Sequence, residues 1–213
     1  MSDLPIPFIV GVPRSGTTLL RLMFDSHPDL CIPPETHFLL ELLRQNPNNI
    51  HDFIQLLEKT PTFPDFDIES DDLMQFISSS ENIYRFDLSK TIEKFYEFYS
   101  IRNNKKRFGD KTPAYLLAMP GIQLLFRGRA RFIHIIRDGR DVFLSLRDKW
   151  FGPGDDLVGA AQYWRSRIEQ ARYDSLSLHP DSYIEVKYED LVRQPENVLR
   201  NCANLLILII VKL

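Results

Sequence analysis

The sequence predicts an α/β fold: a P-loop-type parallel sheet flanked by helices, with a helical insertion. Three observations carry that reading. The apolar run Phe8-Ile9-Val10 enters a glycine loop, Gly11-Val12-Pro13-Arg14-Ser15-Gly16, and leaves it into an apolar-faced helix that begins at Thr17. Two further runs, 131–136 and 183–186, are each followed by a helical pattern, and strands alternating with helices build parallel, doubly wound sheets. The near-continuous apolar character of Arg131-Phe132-Ile133-His134-Ile135-Ile136 is that of a parallel strand covered on both faces.

The elements follow in order. Ser15, Thr17 and Thr18 bring hydroxyls to the first helix, and Leu19, Leu20, Leu22 and Met23 form its apolar face. His27-Pro28-Asp29 breaks that helix. Leu30-Cys31-Ile32 reads as a short strand closed by Pro33-Pro34. Phe38, Leu39, Leu42 and Leu43 line one face of the next helix. Residues 46–105 form the insertion: helices over 50–59, 70–79 and 88–102, with a proline-containing loop at 60–67. Ile92, Phe95, Tyr96 and Tyr99 recur at helical spacing, which is the pattern of core packing. A strand over 107–111 and a helix over 113–126, weakened by Gly121, precede the second strong strand. A helix from about Arg140 to Lys149 ends at Gly152-Pro153-Gly154, and a long one over 155–177 presents Leu157, Ala161, Trp164 and Ile168 on one side. The third strand is Tyr183-Ile184-Glu185-Val186, and a last helix runs from about Glu196 to Leu205.

Composition narrows the function. A chain of 213 residues suits one α/β domain over 1–213. A net charge of −3 excludes a general nucleic-acid binder, so any anion site comes from local clustering of Arg and Lys. Two cysteines, Cys31 and Cys202, are too few for a disulfide framework. The N-terminus lacks a signal-like apolar core, and no run approaches the roughly 18 apolar residues of a membrane span. The expectation is a soluble, cytoplasmic protein. Cys, His and carboxylates do not cluster at metal spacing, so no metal is expected.

The glycine loop is the first candidate site. Backbone N–H groups converge there at the positive end of a helix dipole, which suits a phosphate. Gly11-x-x-x-x-Gly16 has the frame of a nucleotide-triphosphate loop, but Thr17 stands where such a loop carries Lys. With Arg14 inside it, the loop suits a single substituted 5′-phosphate better than a triphosphate on magnesium. An ordinary strand–turn–helix is the alternative. Arg137 is the second candidate. Its guanidinium fork matches a phosphate, and pairing with Asp138 or Asp141 is the alternative. The loop, Arg137 and Tyr188 all fall just past a predicted strand end, where ligands bind in such sheets.

Val12-Pro13-Arg14-Ser15-Gly16-Thr17-Thr18-Leu19 resembles the 5′-phosphosulfate loop of sulfotransferases that use PAPS, 3′-phosphoadenosine 5′-phosphosulfate. Asp25-Ser26-His27-Pro28, Pro34-Glu35-Thr36, Asp110-Lys111-Thr112-Pro113, Ile136 to Val142 and Tyr188 to Val192 follow in that family's order. Within the family the pattern is similar to the tyrosylprotein sulfotransferase-like branch and its bacterial relatives. The resemblance implies sulfuryl transfer from PAPS, as co-substrate, to an acceptor hydroxyl on tyrosine, sugar, lipid or a small molecule. It implies that Arg14, Ser15, Gly16, Thr17 and Thr18 hold the 5′ end, Arg137 and Ser145 the 3′-phosphate, and that Tyr188 lies against the adenine. It implies Glu35 as the base, with Lys111 and Arg14 stabilising the transferring group. His37 is chemically a good base, but in the helical frame it points away; a capping role for Glu35 and an ion pair of Lys111 with Asp110 are the alternatives. The family continues past Leu205, whereas here an apolar tail, Leu206 to Leu213, follows. Two other functions stay open: a truncated relative that binds adenosine phosphates without turnover, and a P-loop nucleotide kinase or NTPase.

Overall fold

The computed structural model describes residues 4–80, 86–149, 152 and 154–208. The turn residue Pro153 and the tail residues 209–213 lie outside them. In chain order the elements are β1 (Ile6–Gly11), α1 (Thr17–Asp25), β2 (Leu30–Cys31), α2 (Phe38–Gln45), α3 (Ile50–Glu58), α4 (Ser70–Ser80), α5 (Leu88–Arg102), β3 (Arg107–Phe108), β4 (Asp110–Lys111), α6 (Met119–Leu125), β5 (Ala130–Ile136), α7 (Gly139–Leu146), α8 (Leu157–Ser175), β6 (Tyr183–Lys187), α9 (Tyr188–Arg193) and α10 (Pro195–Leu206). They fall into two compact units, Met1–Leu22 with Pro113–Leu213, and Met23–Thr112.

The first unit is built on the parallel strands β1, β5 and β6. Ile6 stands opposite Ala130 and Gly11 opposite Ile135. On the other side of β5, Phe132 stands opposite Tyr183 and Ile136 opposite Lys187. Three strands therefore end level, which is what brings three chain segments to one edge. Phe8, Ile9, Val10, Phe132, Ile133 and Ile135 are fully buried, each contributing about 1.5–3 kcal/mol by burial. This is the two-sided cover expected of a parallel strand. Beyond the strand ends, Val12, Val142, Leu146 and Ile168 form a cluster with Ile136 and Trp164 against it.

Two local expectations need correction. The predicted helix over 113–126 is a 3-10 turn, Pro113–Leu117, followed by α6. The break falls at Ala118, not Gly121, because Pro120 sits in the first turn of α6, where its missing N–H leaves no bond unmade. On α8 the buried face is Ala160, Ile168 and Ala171, with Trp164 partly buried, while Leu157 is exposed and so is Ala161. The apolar stripe is displaced by one residue at its start, to Ala160, and Asp156 caps the helix by accepting from Gly159 N–H.

His134 sits mid-strand in β5 with no exposure. Its Nδ1 lies 2.6 Å from Tyr183 Oη, and the Tyr183 hydroxyl donates to Glu185 at 2.9 Å. Arg172 closes the chain with two bonds to the Glu185 carboxylate. Because the Tyr183 proton goes to Glu185, the bond from His134 needs its proton on Nδ1. That leaves Nε2 bare, buried and without a partner. A second proton would have no acceptor, and burial, partly countered by the Glu185 charge, pushes the His134 pKa down to about 4 from 6.5. The unfolded chain takes up this proton near pH 6.5 and the folded chain does not. Stability present above 6.5 is therefore lost as the pH falls to 4, by about 3 kcal/mol. His134→Gln is expected to remove that loss, read as the difference in urea unfolding free energy between pH 7 and pH 4. An equal acid loss in both proteins would refute the assignment.

The second unit is helical. Phe38 from α2 meets Phe95 from α5 edge to face, with centroids 4.9 Å apart. Phe66 meets Phe95 at 5.3 Å, and Tyr96 stacks on Phe108 at 5.3 Å and 13°. The helically spaced Ile92, Phe95 and Tyr96 are thus core. Asn49 and Asp87 cap α3 and α5 by accepting from Asp52 and Lys90 N–H. The predicted strand over 107–111 is two short ones interrupted at Gly109, and β3 pairs in parallel with β2.

Candidate active site

In the first unit the loop between β1 and α1 turns within five residues. Two glycines allow it. A Cβ on Gly11 would lie 2.6 Å from the Ile135 carbonyl oxygen of the neighbouring strand. Gly16 has φ +96°, and a Cβ there would run into the Tyr188 ring. Arg14 holds φ 72° without being glycine, at a cost of about 1–2 kcal/mol. Backbone strain of this kind collects where geometry serves binding. Ser15 N–H closes the turn on the Val12 carbonyl at 3.1 Å. The first turn of α1 leaves its N–H groups without intrahelical acceptors. Ser15 Oγ is buried beside them with no partner.

Arg137 follows the last residue of β5. Its guanidinium lies over the Tyr188 ring at 4.6 Å, and Nη1 donates to the Arg14 carbonyl at 3.4 Å. Nη2 stands 3.4 Å from Asp141, so the pairing offered as the alternative is present, though long. Nε is buried with no partner. Arg14 Nε donates to Ser145 Oγ at 3.0 Å. Arg14, Arg137, Ser145 and Tyr188 therefore form one connected cluster. The turn that carries Arg137 is fixed twice: Trp164 Nε1–H donates to the Arg137 carbonyl at 3.1 Å, and Asp138 N–H to Glu189 Oε1 at 2.9 Å. Asp138 itself pairs with Arg140, not Arg137; hydrogen bonds from the Arg140 side chain and backbone hold its carboxyl at about 2.

In the second unit, Lys111 Nζ donates to Glu35 Oε1 at 2.6 Å. The alternative pairing of Lys111 with Asp110 is not observed. Lys111 is 5% exposed, and a buried ammonium requires such a counter-charge. The other oxygen of Glu35 lies 3.0 Å from His37 Nε2. This corrects the reading of His37 as pointing away. His37 precedes α2 with φ 53°, outside the helical frame, so its ring turns back toward Glu35. Burial pushes the Glu35 carboxyl up, but hydrogen bonds and charge from His37 and Lys111 outweigh it and leave the pKa below 4.5. Glu35 does not cap α2, so that alternative falls as well. The sequence reading missed Trp164 and Glu189 as supports of Arg137. For Glu189 the only signal was its place directly after Tyr188.

Residues 5–208 match the sulfotransferase family. The chain is 31% identical over 211 residues to protein-tyrosine sulfotransferase 1 of Danio rerio, covering 96% of this chain and 53% of that protein. It is 27% identical over 208 residues to the protein-tyrosine sulfotransferase of Drosophila melanogaster, covering 96% of this chain and 38% of that one. The chain thus spans about half or less of the length of these relatives. Among solved structures it is similar to the sulfotransferase domain of the Synechococcus PCC 7002 olefin synthase, with a TM-score of 0.68 and 27% identity over 97% of this chain and 74% of that chain.

Proposed function

The chain belongs to the sulfotransferase family, and from that premise we propose that it moves a sulfuryl group from PAPS to an acceptor hydroxyl by in-line transfer. One observation carries the donor assignment. Two buried polar atoms without partners, Ser15 Oγ and Arg137 Nε, lie at the ends of adjacent parallel strands. Buried donors are normally satisfied, and a ligand with phosphates at both ends satisfies both. Ser15, Gly16, Thr17 and Thr18 take the 5′-phosphate on the loop. Arg137 and Ser145 take the 3′-phosphate, and Tyr188, whose ring lies under the Arg137 guanidinium, takes the adenine. The Arg14–Ser145 hydrogen bond supports the donor-holding role of Arg14 over a role at the transferring group.

Glu35 accepts the proton of the acceptor hydroxyl as its oxygen attacks sulfur. The bond from sulfur to the 5′-phosphate oxygen breaks, and that oxygen leaves with the electron pair. Lys111 stabilises the charge that develops, by positioning and electrostatics as in phosphoryl transfer. A protein tyrosine, a sugar, a lipid or a small molecule serves as acceptor, with the helices of 46–105 covering it. Two cysteines, Cys31 and Cys202, are too few for a disulfide framework, which supports a reducing, cytoplasmic setting.

Calorimetric titration tests the donor. Adenosine 3′,5′-bisphosphate is expected to bind with micromolar affinity, and ATP with magnesium at least about a hundredfold more weakly, a difference of about 2.7 kcal/mol. The reverse order would establish a nucleotide kinase or NTPase. Binding of the bisphosphate without transfer to any hydroxyl would leave a relative that binds but does not turn over.

A further inference from the structure

Asp110 lies beside Lys111 and is unused in the chemistry above. Its side chain is wholly buried. Oδ2 accepts from Thr36 Oγ1 at 2.7 Å and from Tyr96 Oη at 2.8 Å, while Oδ1 has no partner. A buried carboxyl with one bare oxygen is costly. Burial pushes its pKa up to about 6 despite the hydrogen bonds from Thr36 and Tyr96 and the charge of Lys111. A group this unfavourable to bury calls for a compensating role.

The contacts supply one. Thr36 N–H donates to Thr112 Oγ1 at 2.9 Å, so Thr36 is held from both Asp110 and Thr112. Its chain neighbour Glu35 reaches Lys111, the residue between those two anchors. Pro33 and Pro34 precede Glu35 and carry no N–H, so this stretch cannot be tied down through those backbone donors. Side chains do it instead. The Glu35 side chain is a third exposed, and an untethered glutamate of that kind samples several rotamers. The buried Thr36–Asp110 bond sits one residue away and removes the backbone part of that freedom.

We propose that Asp110 is a positioning residue: through Thr36 it holds Glu35 on Lys111 and so sets the proton affinity of that carboxylate. The proposal rests on the reading of Glu35 as the base. Tyr96 shares the same oxygen but reaches it from α5, so it supports Asp110 without contributing to the route toward Glu35.

The test is a carbon-13 NMR titration of the glutamate carboxyls in the full chain, with the Glu35 signal identified by its loss in Glu35→Gln. Glu35 is expected to titrate below 4.5 in the wild type and in Asp110→Asn, whose amide oxygen still accepts from Thr36. In Asp110→Ala and in Thr36→Val, a same-shape change, the midpoint is expected to rise by about one unit as the Lys111 contact loosens. Tyr96→Phe is expected to leave it in place. An unmoved Glu35 midpoint in folded Thr36→Val overturns the proposal, and so does a rise in Tyr96→Phe equal to that in Thr36→Val. The same samples are titrated with adenosine 3′,5′-bisphosphate. A wild type that fails to bind it defeats the sulfotransferase reading, whereas the Glu35 midpoint alone decides the role of Asp110.

Discussion

Arg137→Ala is expected to weaken binding of adenosine 3′,5′-bisphosphate by a hundredfold or more while shifting stability by no more than about 1 kcal/mol. The magnitudes decide this. In the free protein Arg137 makes an ion pair with Asp141, which is half exposed, and the 3.4 Å distance places it among pairs worth about 0–1 kcal/mol. The bond to the Arg14 carbonyl is equally long. The stack on Tyr188 adds about 0.5–2 kcal/mol. Against these stands Nε, buried without a partner, an arrangement that costs about 1–3 kcal/mol. The folding contribution of Arg137 therefore nearly cancels. A fork of charge-assisted bonds to phosphate is worth about 3 kcal/mol or more, which gives the hundredfold. Arg137→Lys, with charge but no fork, is expected to fall between. Calorimetry and urea unfolding read the two effects separately. Unchanged binding together with a loss of several kcal/mol in stability would make Arg137 a structural residue, and the two-ended donor site would fall with it.

The parts of this site that were legible in the sequence are those written in local signals. Phe8-Ile9-Val10 followed by two glycines can hardly be anything but a strand entering a tight turn, and Gly16 at φ +96° meets that expectation. The α/β rule then located Arg137 and Tyr188, because both follow directly on a strand end. What the sequence concealed depends on tertiary contact or on a single dihedral. His37 follows two prolines and a threonine and precedes an apolar stripe, so it reads as helical; one left-handed φ of 53° turns it onto Glu35. Trp164 belongs by pattern to the apolar face of α8, and its indole N–H at the Arg137 carbonyl follows only from where that helix packs. The orphaned Asp110 Oδ1 has no local signature at all. From sequence it is a strand-end aspartate, and only three-dimensional burial makes it costly. Leu157 and Ala161 show the opposite failure: apolar residues at the right spacing that are turned to solvent, because tertiary packing buries Ala160, Ile168 and Ala171 instead.

Glu35→Gln is expected to lower kcat by about a hundredfold to ten-thousandfold, the range of positioned proton transfer, with affinity for adenosine 3′,5′-bisphosphate unchanged within about twofold, since Arg14, Ser15, Arg137, Ser145 and Tyr188 are left intact. Release of the bisphosphate from PAPS in the presence of an alcohol or phenol acceptor reads the rate. Gln keeps the shape and can still accept from Lys111, but it cannot take a proton. Lys111 then loses its counter-charge while only 5% exposed, so some loss of stability accompanies the variant, less than the 3–5 kcal/mol of a fully buried pair because Glu35 is a third exposed. A stability change does not reproduce a pH profile, and the profile separates the two candidate bases. A base must be unprotonated to act, so kcat falls as the pH drops through its pKa. Glu35 is held below 4.5 by His37 and Lys111 against the opposing effect of burial, which places the acid limb below that pH. His37 is exposed and hydrogen-bonded to Glu35, so His37→Gln is expected to cost less than tenfold and to keep the acid limb, moved upward by the loss of a partner that lowers the carboxyl. A wild-type acid limb that vanishes in His37→Gln would transfer the role of base to His37 and leave Glu35 as the residue that orients it. The same profile on Lys111→Ala completes the argument: without the ammonium, burial is opposed by His37 alone, the Glu35 pKa rises, and the limb moves up toward neutral pH while the remaining base becomes stronger.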